Sequence, residues 1–369
     1  MRQDDGPLPE EGTPARVQPP RWLMLLLANC TLIVLALLLV AIPAEFVFRY
    51  RYAHMIYEPR PVVKAVQQYL VLQPVIGFTW APNISTAQNV RFDINDIKPE
   101  PLCTDSFGVI NAPAAIAERS GGRAVDVVGL GDSFMEMANR GLYDAFHGEG
   151  LFFYSLAIHR QCPPQYDSIL ATWASDLKPK TIVYGLFEND FIESADYGAW
   201  RRSGIDWFAY HSGTWCGPPV GVGSFDRFLH RHTRGWNAFL RVIAEEIRGQ
   251  RVSVLGPAAD DIKNVVDRVR EAAEFAKGAD MRFVLVLIPG KETAKGVDTA
   301  ESRAYDEVVR GAAGDGAELI DLRPIFRSQP DPAGLYYEKD GHWNARGIAL
   351  AADIIVKKVK GGADESGSH

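Results

Sequence analysis

The longest apolar run in the chain is Trp22 to Ala44, WLMLLLANCTLIVLALLLVAIPA, with no charged residue. As a helix it would extend about 33 Å, enough to cross the hydrocarbon core of a bilayer. A cleaved signal peptide has a shorter apolar core and a small-residue cleavage pattern that Ile42-Pro43-Ala44 fits poorly, so the run reads as a retained anchor. A second pattern starts near Gly121. Short apolar runs at Val125–Leu130, Leu151–Leu156, Thr181–Phe187, Phe283–Ile288 and Glu318–Leu322 predict buried strands. Between them, apolar residues fall at helical spacing: Phe134, Met135, Ala138 and Leu142; then Tyr166, Ile169, Leu170, Trp173 and Leu177 behind Pro163-Pro164. Ile262, Val265, Val266, Val269 and Ala273 predict another helix, stopped near Gly278, and Ile348–Val356 a last one. Alternation of strand and helix predicts an α/β fold with a mostly parallel five-stranded sheet covered on both faces.

This divides the chain into five parts. Residues 1–21 are Pro-, Gly- and acid-rich and read as a disordered tail; 22–45 is the transmembrane anchor. Residues 46–120 form a connector in which Val90, Phe92 and Ile94 alternate with polar residues as one strand. Residues 121–360 form the globular domain, with an aromatic-rich insertion over 191–254, and 361–369 a frayed tail. The net charge of −7 and the absence of a basic block argue against a nucleic-acid partner. Of the four cysteines, Cys30 lies in the apolar run, so Cys103, Cys162 and Cys216 allow at most one intramolecular bridge. Arg49, Arg51, Arg60 and Lys64 after the span outnumber Arg16 and Arg21 before it, which by charge alone favours a cytoplasmic C-terminal side.

Candidate chemistry gathers where strands end. Gly131-Asp132-Ser133 lies between a buried strand and a helix, at the sheet edge where α/β folds bind ligands. The helix start there favours developing negative charge. A serine nucleophile needs a base and a group to orient it. Of the eight histidines, only His342 lies in a comparable loop, with Asp340 two residues before it and Asn344 placed to cap the next helix. Asn189, in Glu188-Asn189-Asp190 at the end of the third strand, offers an amide to an oxyanion. His159 with Cys162, or His211 with Cys216, forms no four-ligand metal pattern, so no metal is expected.

Together these stretches resemble the SGNH (GDSL-type) hydrolase superfamily, in its membrane-anchored bacterial form. Gly131-Asp132-Ser133 is similar to its first motif block, Glu188-Asn189-Asp190 to its third and DGHWNARG to its fifth, in the family's order. The resemblance implies a flavodoxin-like three-layer sandwich and ester chemistry through an acyl-enzyme, without cofactor. Ser133 would be the nucleophile, His342 the base and then acid, and Asp340 its orienting carboxylate. The Ser133 backbone N–H and the Asn189 side chain would hold the oxyanion.

Two positions depart from the family pattern. The usual fifth-block carboxylate position is Lys339 here, and Asp340 at minus two is similar to alginate-type O-acetyltransferase relatives. The second block, Ser155 to Pro163, has no glycine; Arg160 stands near its place, and its N–H serves as third oxyanion donor if the backbone there does not need a positive φ.

The anchor, the aromatic insertion and the short spacing suggest an O-acylated, principally O-acetylated, extracytoplasmic glycan as substrate, with a membrane acyltransferase as a candidate partner. The insertion reads equally as a cap over the site or as ordinary subdomain packing. The alternative to an esterase or O-acyltransferase is an inactive anchored glycan-binding or scaffold protein.

Overall fold

The computed structural model describes residues 20–51, 69–85, 102–204, 207–210, 257–312, 316–338 and 341–366. The chain divides into two compact units. The described part of the first is helix α1, Arg21–Arg51. Its stretch Arg21–Val40 has a mean hydropathy of 2.8, and none of it is buried. This is the length and composition of a membrane-crossing helix, which a signal sequence also shares. The helix continues through Pro43, beyond the expected end of the span.

The second unit opens with a hairpin that the sequence pattern does not announce. Strands β1 (Leu70–Gln73) and β2 (Gly77–Trp80) pair antiparallel, Gln73 opposite Gly77. All four β2 residues are buried, and Ile76, Phe78, Val109 and Ala115 join the main core. The stretch read as a connector is therefore part of the domain's packing. A four-residue strand buried on both faces offers no periodicity to read. The strand expected over Val90–Ile94 lies outside the described residues, as does the tail before residue 20.

After helix α2 (Pro113–Ser120) the chain alternates strand and helix. In order come β3 (Val127–Leu130), α3 (Ser133–Gly148), β4 (Phe153–Ser155), α4 (Pro163–Ile169) and β5 (Thr181–Phe187). Then follow α5 (Asp190–Ser203), α6 (Trp207–Tyr210), α7 (Ala259–Gly278), β6 (Arg282–Ile288), α8 (Lys291–Ala294) and α9 (Ala300–Ala312). Strand β7 (Glu318–Asp321), α10 (Leu322–Arg327) and α11 (Ala345–Ser366) complete the domain. The last helix runs past Gly361, where a frayed tail was expected: Ala363 and Glu365 favour helix, and no proline follows.

The sheet order is β4-β3-β5-β6-β7, with every pair parallel. Counted from β3, this is the 2-1-3-4-5 order of flavodoxin-like folds, whose switch point lies between the first and third strands. Helices α3 and α11 pack together, and α4, α7 and α9 form a second group. Right-handed crossovers put the two groups on opposite faces, giving three layers. Among the described residues of the 191–254 insertion, Phe191, Trp200, Trp207 and Tyr210 belong to the core. Trp200 and Trp207 meet edge-on at 5.0 Å, and Trp207 lies 5.9 Å from Phe78. The remainder of that insertion, 211–254, lies outside the described residues.

Candidate active site

Both sides of the switch point carry a predicted site residue. At the end of β3 the chain turns through Gly131, φ 151°, where a Cβ would lie 2.4 Å from Met135 Cγ. Only glycine lets the first turn of α3 sit this close to the strand. Asp132 then caps the helix, its carboxylate accepting from Phe134 N at 3.0 Å, and Ser133 is the first helical residue. Ser133 Oγ lies 2.7 Å from His342 Nε2 across 209 residues of sequence, and 3.3 Å from Asp132 Oδ2.

His342 is set by the loop before α11. Residues Tyr336 and Trp343 pair across it, Tyr337 N donates to His342 O at 3.0 Å, and the His342 ring packs 4.8 Å from Phe134. Asn344 caps α11 as expected, accepting from Arg346 N and Gly347 N, while its amide donates to Gly334 O and Tyr336 O. A residue the sequence reading missed completes the loop. Lys291 of α8 donates from Nζ to Tyr337 O at 2.8 Å and Glu338 O at 3.0 Å. Asp340, with Lys339, lies outside the described residues.

Asn189 stands at the start of α5 but does not cap it through its side chain. Asp190 takes over the local bonds, accepting from Phe187 N at 2.8 Å, with Tyr166 Oη 3.1 Å away. The Asn189 carboxamide is left out of the turn's bonding, its oxygen buried without a partner among the described residues. The loop after β4 runs along β3: Leu156 N donates to Gly129 O, and Ile158 N to Gly131 O at 3.2 Å. Arg160 follows with φ 57°. The backbone there does take a positive φ, contrary to the condition placed on it, so Arg160 can stand as third donor only because its own backbone adopts the turn usual for glycine. Arginine adopts it nonetheless, at a cost of about 1–2 kcal/mol. Ser133, Arg160, Asn189 and His342 are each partly exposed, whereas Asp132, Phe134, His159, Asp190 and Trp343 beside them are buried.

Carboxylates crowd behind this edge. Burial pushes Asp132 up to about 6, although the His342 charge and the Phe134 N–H oppose it. Burial likewise raises Asp190, with the nearby Asp132 carboxylate adding to the effect, and lifts Glu193 to about 8 against the pull of Arg160. Arg160 Nε lies 4.0 Å from Glu193 Oε1. The residues weighed as metal ligands are otherwise engaged: His159 Nδ1 donates to Glu136 Oε2 at 2.9 Å and Cys162 Sγ to Gln165 Oε1 at 3.1 Å. Cys103 and Cys162 are unbridged, and Cys216 and His211 lie outside the described residues.

Residues 258–368 match a family described as the SGNH hydrolase-like domain of the acetyltransferase AlgX. No curated protein sequence matches the chain. Among solved structures, a GDSL-like lipase from Bacteroides thetaiotaomicron is similar at 12% identity and a TM-score of 0.39, over 67% of this chain and 96% of that one. An acetyl xylan esterase is similar at 13% identity and 0.39, over 64% and 100%. The periplasmic domain of a lipopolysaccharide acetyltransferase from Salmonella ser. Paratyphi A is similar at 11% and 0.37, over 68% and 90%. The matched stretch supplies His342, and Ser133 and Asn189 precede it in the same sheet: residues 258–368 are similar to an SGNH hydrolase-like domain.

Proposed function

We propose that this protein is a serine esterase or O-acyltransferase, anchored by α1, that acts on an O-acylated and principally O-acetylated glycan outside the cytoplasm. The observation that carries this reading is the 2.7 Å approach of Ser133 Oγ to His342 Nε2 at the switch point of the sheet. In this mechanism the Oγ–H proton passes to Nε2 as Oγ bonds the acyl carbonyl carbon. Asp340 accepts the Nδ1–H of the resulting imidazolium. The oxyanion takes hydrogen bonds from the Ser133 and Arg160 backbone N–H groups and the Asn189 amide. Collapse releases the alcohol, which takes its proton from His342, and leaves the acyl ester on Ser133. Water or an acceptor hydroxyl then gives its proton to His342, attacks the acyl carbon and frees Ser133. The choice of acceptor separates esterase from transferase, and a membrane acyltransferase would supply the acyl group in the second case.

The acetyl assignment is supported by the family match, whose description names an acetyltransferase. The left-handed backbone at Arg160 supports an active enzyme over an inactive scaffold, since the second-block turn forms without its glycine. Acetate release from an O-acetylated polysaccharide tests the reading. Wild type should release acetate, and Ser133→Ala should lose at least about a thousandfold in kcat. Equal release by both proteins would refute it.

A further inference from the structure

We infer that Glu136 is a positioning residue for the oxyanion loop, acting through His159; the inference rests on the reaction proposed above. Glu136 lies one turn after Ser133 on α3 and is 1% exposed. Its Oε2 accepts from the His159 backbone N–H at 2.7 Å, from His159 Nδ1–H at 2.9 Å and from Trp80 Nε1–H at 3.4 Å. His159 is equally buried, its ring 5.1 Å from both Phe78 and Trp80 of β2.

A carboxylate removed from water needs such donors wherever it sits. The placement of this one is what bears on function. The residue it anchors immediately precedes Arg160, whose N–H belongs to the peptide plane shared with His159. The residue that follows is also tied down: Gln161 Nε2 donates to Phe78 O at 3.2 Å, and Tyr166 Oη donates to Gln161 O at 2.8 Å. Arg160, at φ 57°, is therefore held from both sides. Positions three apart on a helix are neighbours, so the nucleophile and the loop anchor share one face of α3. The distance between Ser133 and the Arg160 N–H is set by one rigid helix, and an error of about 1 Å in such placement can lower a rate about a hundredfold. The β2 hairpin backs the same loop and so contributes to the site without touching substrate.

Glu136→Leu in the full chain removes the acceptor while keeping most of the volume; Glu136→Gln keeps an acceptor. Hydrogen–deuterium exchange over residues 156–162 and p-nitrophenyl acetate kinetics are measured for both. The expected result for Glu136→Leu is at least about tenfold faster exchange in that segment. Its kcat should fall about 10–100-fold with KM changed less than about threefold, and Glu136→Gln should recover most of both. A core variant such as Ile355→Val, matched for thermal stability, should leave kcat unchanged. If Glu136→Leu does not fold, His159→Phe removes the Nδ1–H bond while keeping the backbone N–H bond and ring volume between Phe78 and Trp80, and faster exchange and a lower kcat are expected, each smaller than for loss of the carboxylate. Unchanged exchange in the folded variant, or wild-type kcat in it, would overturn the inference. The Ser133→Ala comparison reports separately on the reaction itself, and exchange does not depend on activity.

Discussion

Ser133 and His342 are a simple pair in a costly setting. Their bond lies over buried Asp132, with Asp190 and Glu193 close behind, and burial raises all three carboxyls. The sign of the consequence is fixed by linkage. A carboxyl whose folded pKa is raised binds more protons folded than unfolded between the two values, so its contribution to stability declines as pH rises through that window. For Glu193 the window runs from the ordinary glutamate value of 4.5 to about 8. Glu193→Gln has no such term, so its melting temperature should gain on wild type steadily from pH 5 to pH 8. A constant or shrinking difference, measured by circular dichroism, would show that Glu193 is charged throughout. The placement of Ser133, Asn189 and His342 in loops at strand ends was legible in the sequence because each sits in a short local motif. Glu136 was not, because its meaning depends on His159, 23 residues away, and Trp80, 56 residues away. Nor was the backbone at Arg160, since nothing in its side chain marks a positive φ.

At the scale of elements, α5 and α9 went unread, while the sheet strands and helices α3, α4, α7 and α11 followed from buried apolar runs and helical spacing. Short elements did not. The β1–β2 hairpin and α8 are four residues per strand or helix, too short to show a period. Yet α8 carries Lys291, which grips the carbonyls of Tyr337 and Glu338 just before the loop that presents His342. A charged hydrogen bond of this kind contributes about 1.5–3 kcal/mol. Lys291→Met should therefore loosen the His342 loop more than the fold, lowering kcat for p-nitrophenyl acetate about tenfold while KM stays within about threefold. A proportionate loss of thermal stability with intact kcat would assign Lys291 to folding alone. The aromatic insertion taught the opposite lesson. Trp200 and Trp207 read equally as a sugar platform or as packing, and both are buried in the core, at 4% and 3% exposure.

Taken whole, the molecule places one chemical constellation where its topology demands a ligand. The strand order of the 2-1-3-4-5 sheet reverses between β3 and β5, and Ser133 and Asn189 follow those two strands. The net charge of −7 gives no electrostatic attraction toward a nucleic-acid backbone. Everything in this account depends on Ser133 being activated by His342. Labelling with a fluorophosphonate, located by peptide mass spectrometry, tests that most directly. A single adduct is expected on Ser133 in wild type, absent from Ser133→Ala and lost or greatly slowed in His342→Ala. Folded wild type that takes up no label and hydrolyses no p-nitrophenyl acetate, or an adduct that persists in Ser133→Ala, would contradict it.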